Sequence, residues 1–201
     1  MSGTQRLPGG RPRKASLIES TYAELDIARV LITHQVNFRF NERKMKKAED
    51  FDLLITFPNA TKVCADTKCK LESTPFSEQT IRNSLDDLRK RNLPKNMPGI
   101  IFAKIPREWV QDDTGHQQIV EITNRFLRST GRIVSVKYYT SLVTEDGSLV
   151  REIIAWYEIP NPCNRFDGNA DWRLFNTISK TATSWNGMPL HWKRILKGDS
   201  I

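Results

Sequence analysis

Residues 52 to 70 read DLLITFPNATKVCADTKCK, two carboxylates and two outer lysines at spacings that suit metal-assisted phosphodiester chemistry. Asp52 opens an apolar run reaching Phe57, and Asp66 closes a second run, Lys62 to Ala65, with Pro58-Asn59-Ala60-Thr61 between them. Residues i and i+2 of a strand share a face. If Asp66-Thr67-Lys68 is extended, a carboxylate and an ammonium project together, and Asp52 on the paired strand comes close to both. Metal-assisted phosphodiester hydrolysis needs hard oxygen ligands for Mg²⁺ or Mn²⁺, a metal-bound water near phosphorus and positive charge facing the phosphorane. Asp52 and Asp66 meet the first need, with the Thr67 backbone carbonyl as a third oxygen. Lys68 meets the last. Lys70 shares its face and competes for that role, but the acid-x-lysine spacing selects Lys68.

The flanking elements must place these groups. From Leu17 to about Gln35, apolar residues recur at helical spacing, with Ser16 as N-cap and Glu19 as its capping-box partner. Phe38-Arg39-Phe40 forms a brief first strand, and the basic stretch Asn41 to Asp50 forms a loop or hairpin tip. After the two motif strands, Ser77 starts a second helix that runs to about Arg91 and carries Ile81, Leu85 and Leu88 on one face. GIIFAK, residues 99 to 104, is apolar enough for a central strand buried on both faces. A third helix spans about 116 to 129. Strands at 132–140 and 149–159 follow, joined by a turn at Glu145-Asp146-Gly147. This order predicts an α/β fold, a central mixed β-sheet flanked by helices. Residues 1–15 read as a disordered basic arm, 16–160 as the folded domain, and 161–201 as an irregular extension whose Trp172, Trp185 and Trp192 pack back on the domain.

The 31 Lys and Arg against 23 Asp and Glu give a net charge of +8, which favours an anionic partner, nucleic acid first. Three cysteines without paired spacing (Cys64, Cys69, Cys163) argue against a disulfide framework or a zinc site, and so for a reducing, cytoplasmic setting. The chain has no apolar run of about 20 residues, so no membrane span is expected. It also lacks a Gly-rich phosphate loop and a Gly-x-Ser-x-Gly elbow.

Asp52, then Asp66-x-Lys68, preceded by a helix bearing Tyr22-Ala23-Glu24, resembles the PD-(D/E)xK nuclease superfamily, the restriction-endonuclease-like fold. The resemblance covers about residues 16 to 104. It implies a Mg²⁺- or Mn²⁺-dependent nuclease, an endonuclease ahead of an exonuclease, with DNA ahead of RNA as its substrate. Asp52 and Asp66 would be metal ligands, Lys68 the catalytic lysine, and Glu24 a residue that approaches the metal from the first helix. Gln79 sits where some relatives place an auxiliary polar residue. Domains of this fold often act as dimers, which makes a homodimer one expected state. Phe51 departs from the pattern, standing where many relatives have proline.

The plain alternative for Asp66 and Lys68 is a solvated strand-end ion pair of small energetic worth, and for Glu24 an exposed helix-face charge. A catalytically inactive module using the same fold to hold nucleic acid or a protein partner is the competing reading. A structural or assembly protein is a third.

Overall fold

The computed structural model describes residues 13–42, 49–57, 60–146 and 149–166. Within them lie three helices, α1 (Arg13–Thr33), α2 (Glu78–Asp87) and α3 (Asp113–Arg128), and six strands, β1 (Asn37–Phe40), β2 (Leu53–Thr56), β3 (Lys62–Cys69), β4 (Gly99–Lys104), β5 (Ile133–Asp146) and β6 (Leu149–Pro160). The strands form one mixed sheet in sequence order. β1, β2 and β3 make an antiparallel meander, β4 joins β3 in parallel, β5 joins β4 in parallel, and β6 closes the sheet as an antiparallel hairpin with β5. The expected α/β sheet flanked by helices is present.

Alternation along the strands sends side chains to two cores. Leu53, Ile55, Val63, Ala65, Ile100 and Phe102 face α1, where Ala23, Ile27 and Leu31 meet them. Leu54, Cys64, Ile101 and Ala103 face α2 and α3, against Ile81, Leu85 and Phe126. Every residue of β4 is buried, as befits a strand with a parallel neighbour on each side and helices on both faces.

The ends of the helices follow their local chemistry. Ser77 caps α2 by accepting from the Thr80 amide at 3.1 Å, as its position before the apolar run implies. α1 stops earlier than its apolar period suggests. Gln35 takes a left-handed φ of 55°, the Val36 amide reaches back to the Leu31 carbonyl at 2.8 Å, and Val36 packs near Leu31. That pattern is a Schellman close. At its other end α1 already runs at Arg13, so Ser16 is an interior residue and not the N-cap. Arg13, Lys14 and Ala15 are strong helix formers, and they carry the helix into what the sequence suggested was a disordered arm.

β5 and β6 reach further than expected, pairing from Ser135↔Pro160 to Asp146↔Leu149. The register leaves a two-residue connection at 147–148, which lies outside the described residues. The basic stretch Arg43, Lys44, Lys46, Lys47 and the tryptophans Trp172, Trp185 and Trp192 also lie outside them. Of the C-terminal stretch, residues 161–166 are described, and they lie against the sheet and the segment that follows α3. The Asn161 side chain donates to the carbonyls of Thr130 and Ile133, each at 2.7 Å, and Phe166 lies against the α1-side core. Among the described residues, no helix is long and apolar enough to cross a membrane.

Candidate active site

The antiparallel ladder brings the two motif acids together. Leu54 pairs with Cys64 on the α2 side of the sheet. Asp52, two residues before Leu54, and Asp66, two after Cys64, therefore fall on that same face. Asp52 sits just ahead of β2 and is pinned through its backbone. Its amide donates to the Ala65 carbonyl at 3.1 Å, and its carbonyl accepts from the Asn41 amide at 2.8 Å. Its carboxylate then accepts from the Thr67 amide at 2.7 Å, in effect continuing the β2–β3 ladder with a side chain. Alternation along β3 points the Thr67 carbonyl toward the same edge as its amide, the edge where Asp52 lies.

Asp66 is 1% exposed and Asp52 9%. The two carboxyls adjoin, and Asp52 acts on Asp66 both as a neighbouring charge and as a side-chain hydrogen-bonding group. Two carboxylates cannot share a hydrogen bond unless one of them carries a proton. Burial, followed by the charge of Asp52 beside it and the bond with Asp52, holds the Asp66 carboxyl well above the usual carboxylate range. Asn92 opposes this, donating from its side-chain nitrogen to Asp66 Oδ2 at 2.6 Å, as does the Thr67 backbone.

Asn92 has no counterpart in the sequence reading. It closes a wider π-type turn, Leu88–Asn92, in which the Leu93 amide bonds to the Leu88 carbonyl five residues back at 3.1 Å. Such turns recur at functional sites. Here the turn ends α2 directly over β3, so that an amide side chain rather than solvent covers Asp66.

Lys68 and Lys70 follow Asp66 on the same face of β3, both half-buried. Burial, and then the charge of Lys68, lower the Lys70 ammonium from its ordinary range. Glu24 is placed differently. It is half-buried on α1, the helix that covers the opposite face of the sheet. Among the described residues, no group of three or more His, Cys, Asp and Glu side chains is arranged to hold a metal ion, so Glu24 does not complete a triad with Asp52 and Asp66. Gln79 is exposed and bonds along the helix to Asn83, away from the acids.

The basic residues of α2 and its π-type turn are not a free cationic track. Arg82 pairs with Glu78, Arg89 and Lys90 with Asp86, and Arg91 with Asp87, each across one helical turn.

A carboxyl whose native pKa lies above its unfolded value takes up a proton on folding. Its contribution to stability is complete below the unfolded carboxylate range and is lost as pH rises through the raised native value. A cation entering the Asp52–Asp66 pair must displace that proton. Mn²⁺ is therefore expected to raise the melting temperature more at about pH 8 than at about pH 5.5. A Mn²⁺ shift that does not vary with pH would place the ion elsewhere.

No protein-family profile, no curated protein and no solved structure matches this chain. The class of the protein therefore rests on the chemistry of the site.

Proposed function

We propose that this domain is a Mg²⁺- or Mn²⁺-dependent nuclease on a restriction-endonuclease-like core, hydrolysing phosphodiester bonds in DNA. The observation that carries the reading is the contact between Asp52 and Asp66 on the strand face that also bears Lys68. The order of elements supports it too, with a helix, three antiparallel strands, a helix and a fourth strand parallel to the third. That is the order the sequence resemblance implies, and the two acids stand where β2 begins and where β3 passes beside it.

The donor set fits the ion. Two carboxylates and the Thr67 carbonyl are hard oxygens, and two carboxyls close enough to share a proton can share a cation in its place. When bound, Mg²⁺ would supply an activated water and neutralise charge developing at phosphorus. The remaining work belongs to the chain. The Thr67 amide fixes one oxygen of Asp52, and Asn92 fixes one of Asp66, so both carboxyls are oriented before substrate arrives. Lys68 sets a positive charge beside the acids to meet the phosphate. Glu24, on the helix across the sheet, is left outside the donor set.

The deep burial of Asp66 favours one second reading, a module that holds nucleic acid without cutting it. Purified protein decides between them. Incubated with Mg²⁺ or Mn²⁺, it is expected to cut single-stranded, double-stranded or branched DNA, to stop in EDTA, and to stop in Asp52→Ala. If all three substrates stay intact with either ion, the nuclease reading is lost and the binding module remains.

A further inference from the structure

β3 does not end its chemistry at the acid pair. The Lys70 amide donates to the Lys104 carbonyl at 3.0 Å, so the β3–β4 ladder continues to Lys70 and keeps the backbone extended. Asp66, Lys68 and Lys70 thus stand in a row on one face at two-residue steps. The two lysines lie along one apolar recess between the sheet and α2, whose wall includes Ile81, Leu85, Trp109 and Tyr138.

Most basic side chains nearby have acidic partners. Lys104 lies 3.8 Å from Asp26, and the cations of α2 and its π-type turn pair along the helix. Lys68 and Lys70 form no salt bridge among the described residues, and Asp87 acts on Lys70 only from beyond that distance. Two like charges held side by side against an apolar wall repel each other, and the wall strengthens the field they present to an anion. Such a pair is stabilised by a ligand that brings negative charge. Lysine on a rigid strand is a point-charge binder of phosphate.

Spacing narrows the ligand further. Two residues of a strand span about 6.6 Å, the scale that separates adjacent phosphates along a nucleotide chain. We infer that Lys70, with Lys68, forms a second phosphate subsite, one nucleotide removed from the phosphate at the acid pair. Its ligand is a phosphate of the DNA strand, either an internal diester or a terminal monoester. The assignment of the first phosphate rests on the nuclease reading, while binding at Lys70 can be measured without cleavage.

The test uses the full chain in EDTA with labelled short single-stranded DNA, carrying or lacking a 5′-phosphate, titrated at several salt concentrations. Lys70→Gln is expected to weaken binding about five- to twentyfold and to lower the salt slope by about one. Lys70→Arg is expected to hold both near wild type, which excludes a folding effect. Lys90→Gln, on the outer face of the turn, is the surface control and is expected to change neither. A loss seen equally with both oligonucleotides assigns the subsite to an internal diester, and a loss confined to the 5′-phosphorylated one assigns it to a terminal monoester. Unchanged affinity and salt slope in Lys70→Gln would overturn the subsite. An inactive protein with Lys70-dependent binding would keep the subsite and remove the nuclease reading.

Discussion

Asp66→Asn is expected to lower metal-dependent cleavage by about three orders of magnitude or more while making the metal-free domain more stable at neutral and alkaline pH. Both effects have one cause. Asp66 is buried, touches Asp52 and accepts from Asn92 at 2.6 Å. It costs least in free energy when protonated, whereas the proposed metal role needs it ionised. Asparagine has nearly the same shape. Its side-chain nitrogen carries hydrogen where the protonated acid does, so it can donate to Asp52, while its oxygen still accepts from Asn92. The hydrogen-bond geometry survives and the buried charge is removed for good. A gain on the order of 1 kcal/mol is reasonable for removing a functional strain of this kind. Urea denaturation across pH would read it as a gap between variant and wild type that widens as pH rises. Cleavage above a tenth of wild type would show that Asp66 is not a ligand. Variant stability that falls at every pH would show that the two acids do not share a proton.

The parts of the site legible in the sequence are those that strand geometry dictates. Once Asp52 and Asp66 are placed on adjacent antiparallel strands, period-two alternation alone puts both on one face with Lys68. The element order was readable for a similar reason. Ser77 and the apolar GIIFAK run are local signals, and the local chemistry they predict is what forms. Asn92 was not legible, because it reaches Asp66 only through the extra residue of a π-type turn. Nothing in the polar run RKRNLP distinguishes that turn from the end of an ordinary helix. The cations of α2 and its π-type turn add to the net positive charge, yet helical spacing sets an acid one turn before each of Arg82, Arg89, Lys90 and Arg91, and those pairs form. Glu24 follows a helical phrase that carries no information about which sheet face the helix will cover.

Lys68→Ala is expected to lower kcat by about 10²- to 10³-fold and to leave Mn²⁺ affinity within about twofold, the pattern of a group that acts only in the transition state. The split follows from chemistry and position. An ammonium cannot be a metal ligand, so removing it leaves the donor oxygens of Asp52, Asp66 and Thr67 in place. Its site on β3 is rigid, because Lys68 pairs in register with Ala103 of a fully buried β4. In the proposed reaction that charge would meet developing negative charge without reorganising. Lys68→Arg should recover part of the rate, since the cation returns with a different shape and reach. Lys70→Ala is the informative neighbour. A phosphate contact away from the reacting centre should raise KM more than it lowers kcat, so the two lysines are expected to separate cleanly when both constants are measured by steady-state cleavage. If Lys70→Ala lowers kcat more than Lys68→Ala does, the catalytic cation is Lys70, and the acid-x-lysine spacing selected the wrong member of the pair. If Lys68→Ala abolishes Mn²⁺ binding together with cleavage, its role is to hold the acid pair in place rather than to act on the phosphate.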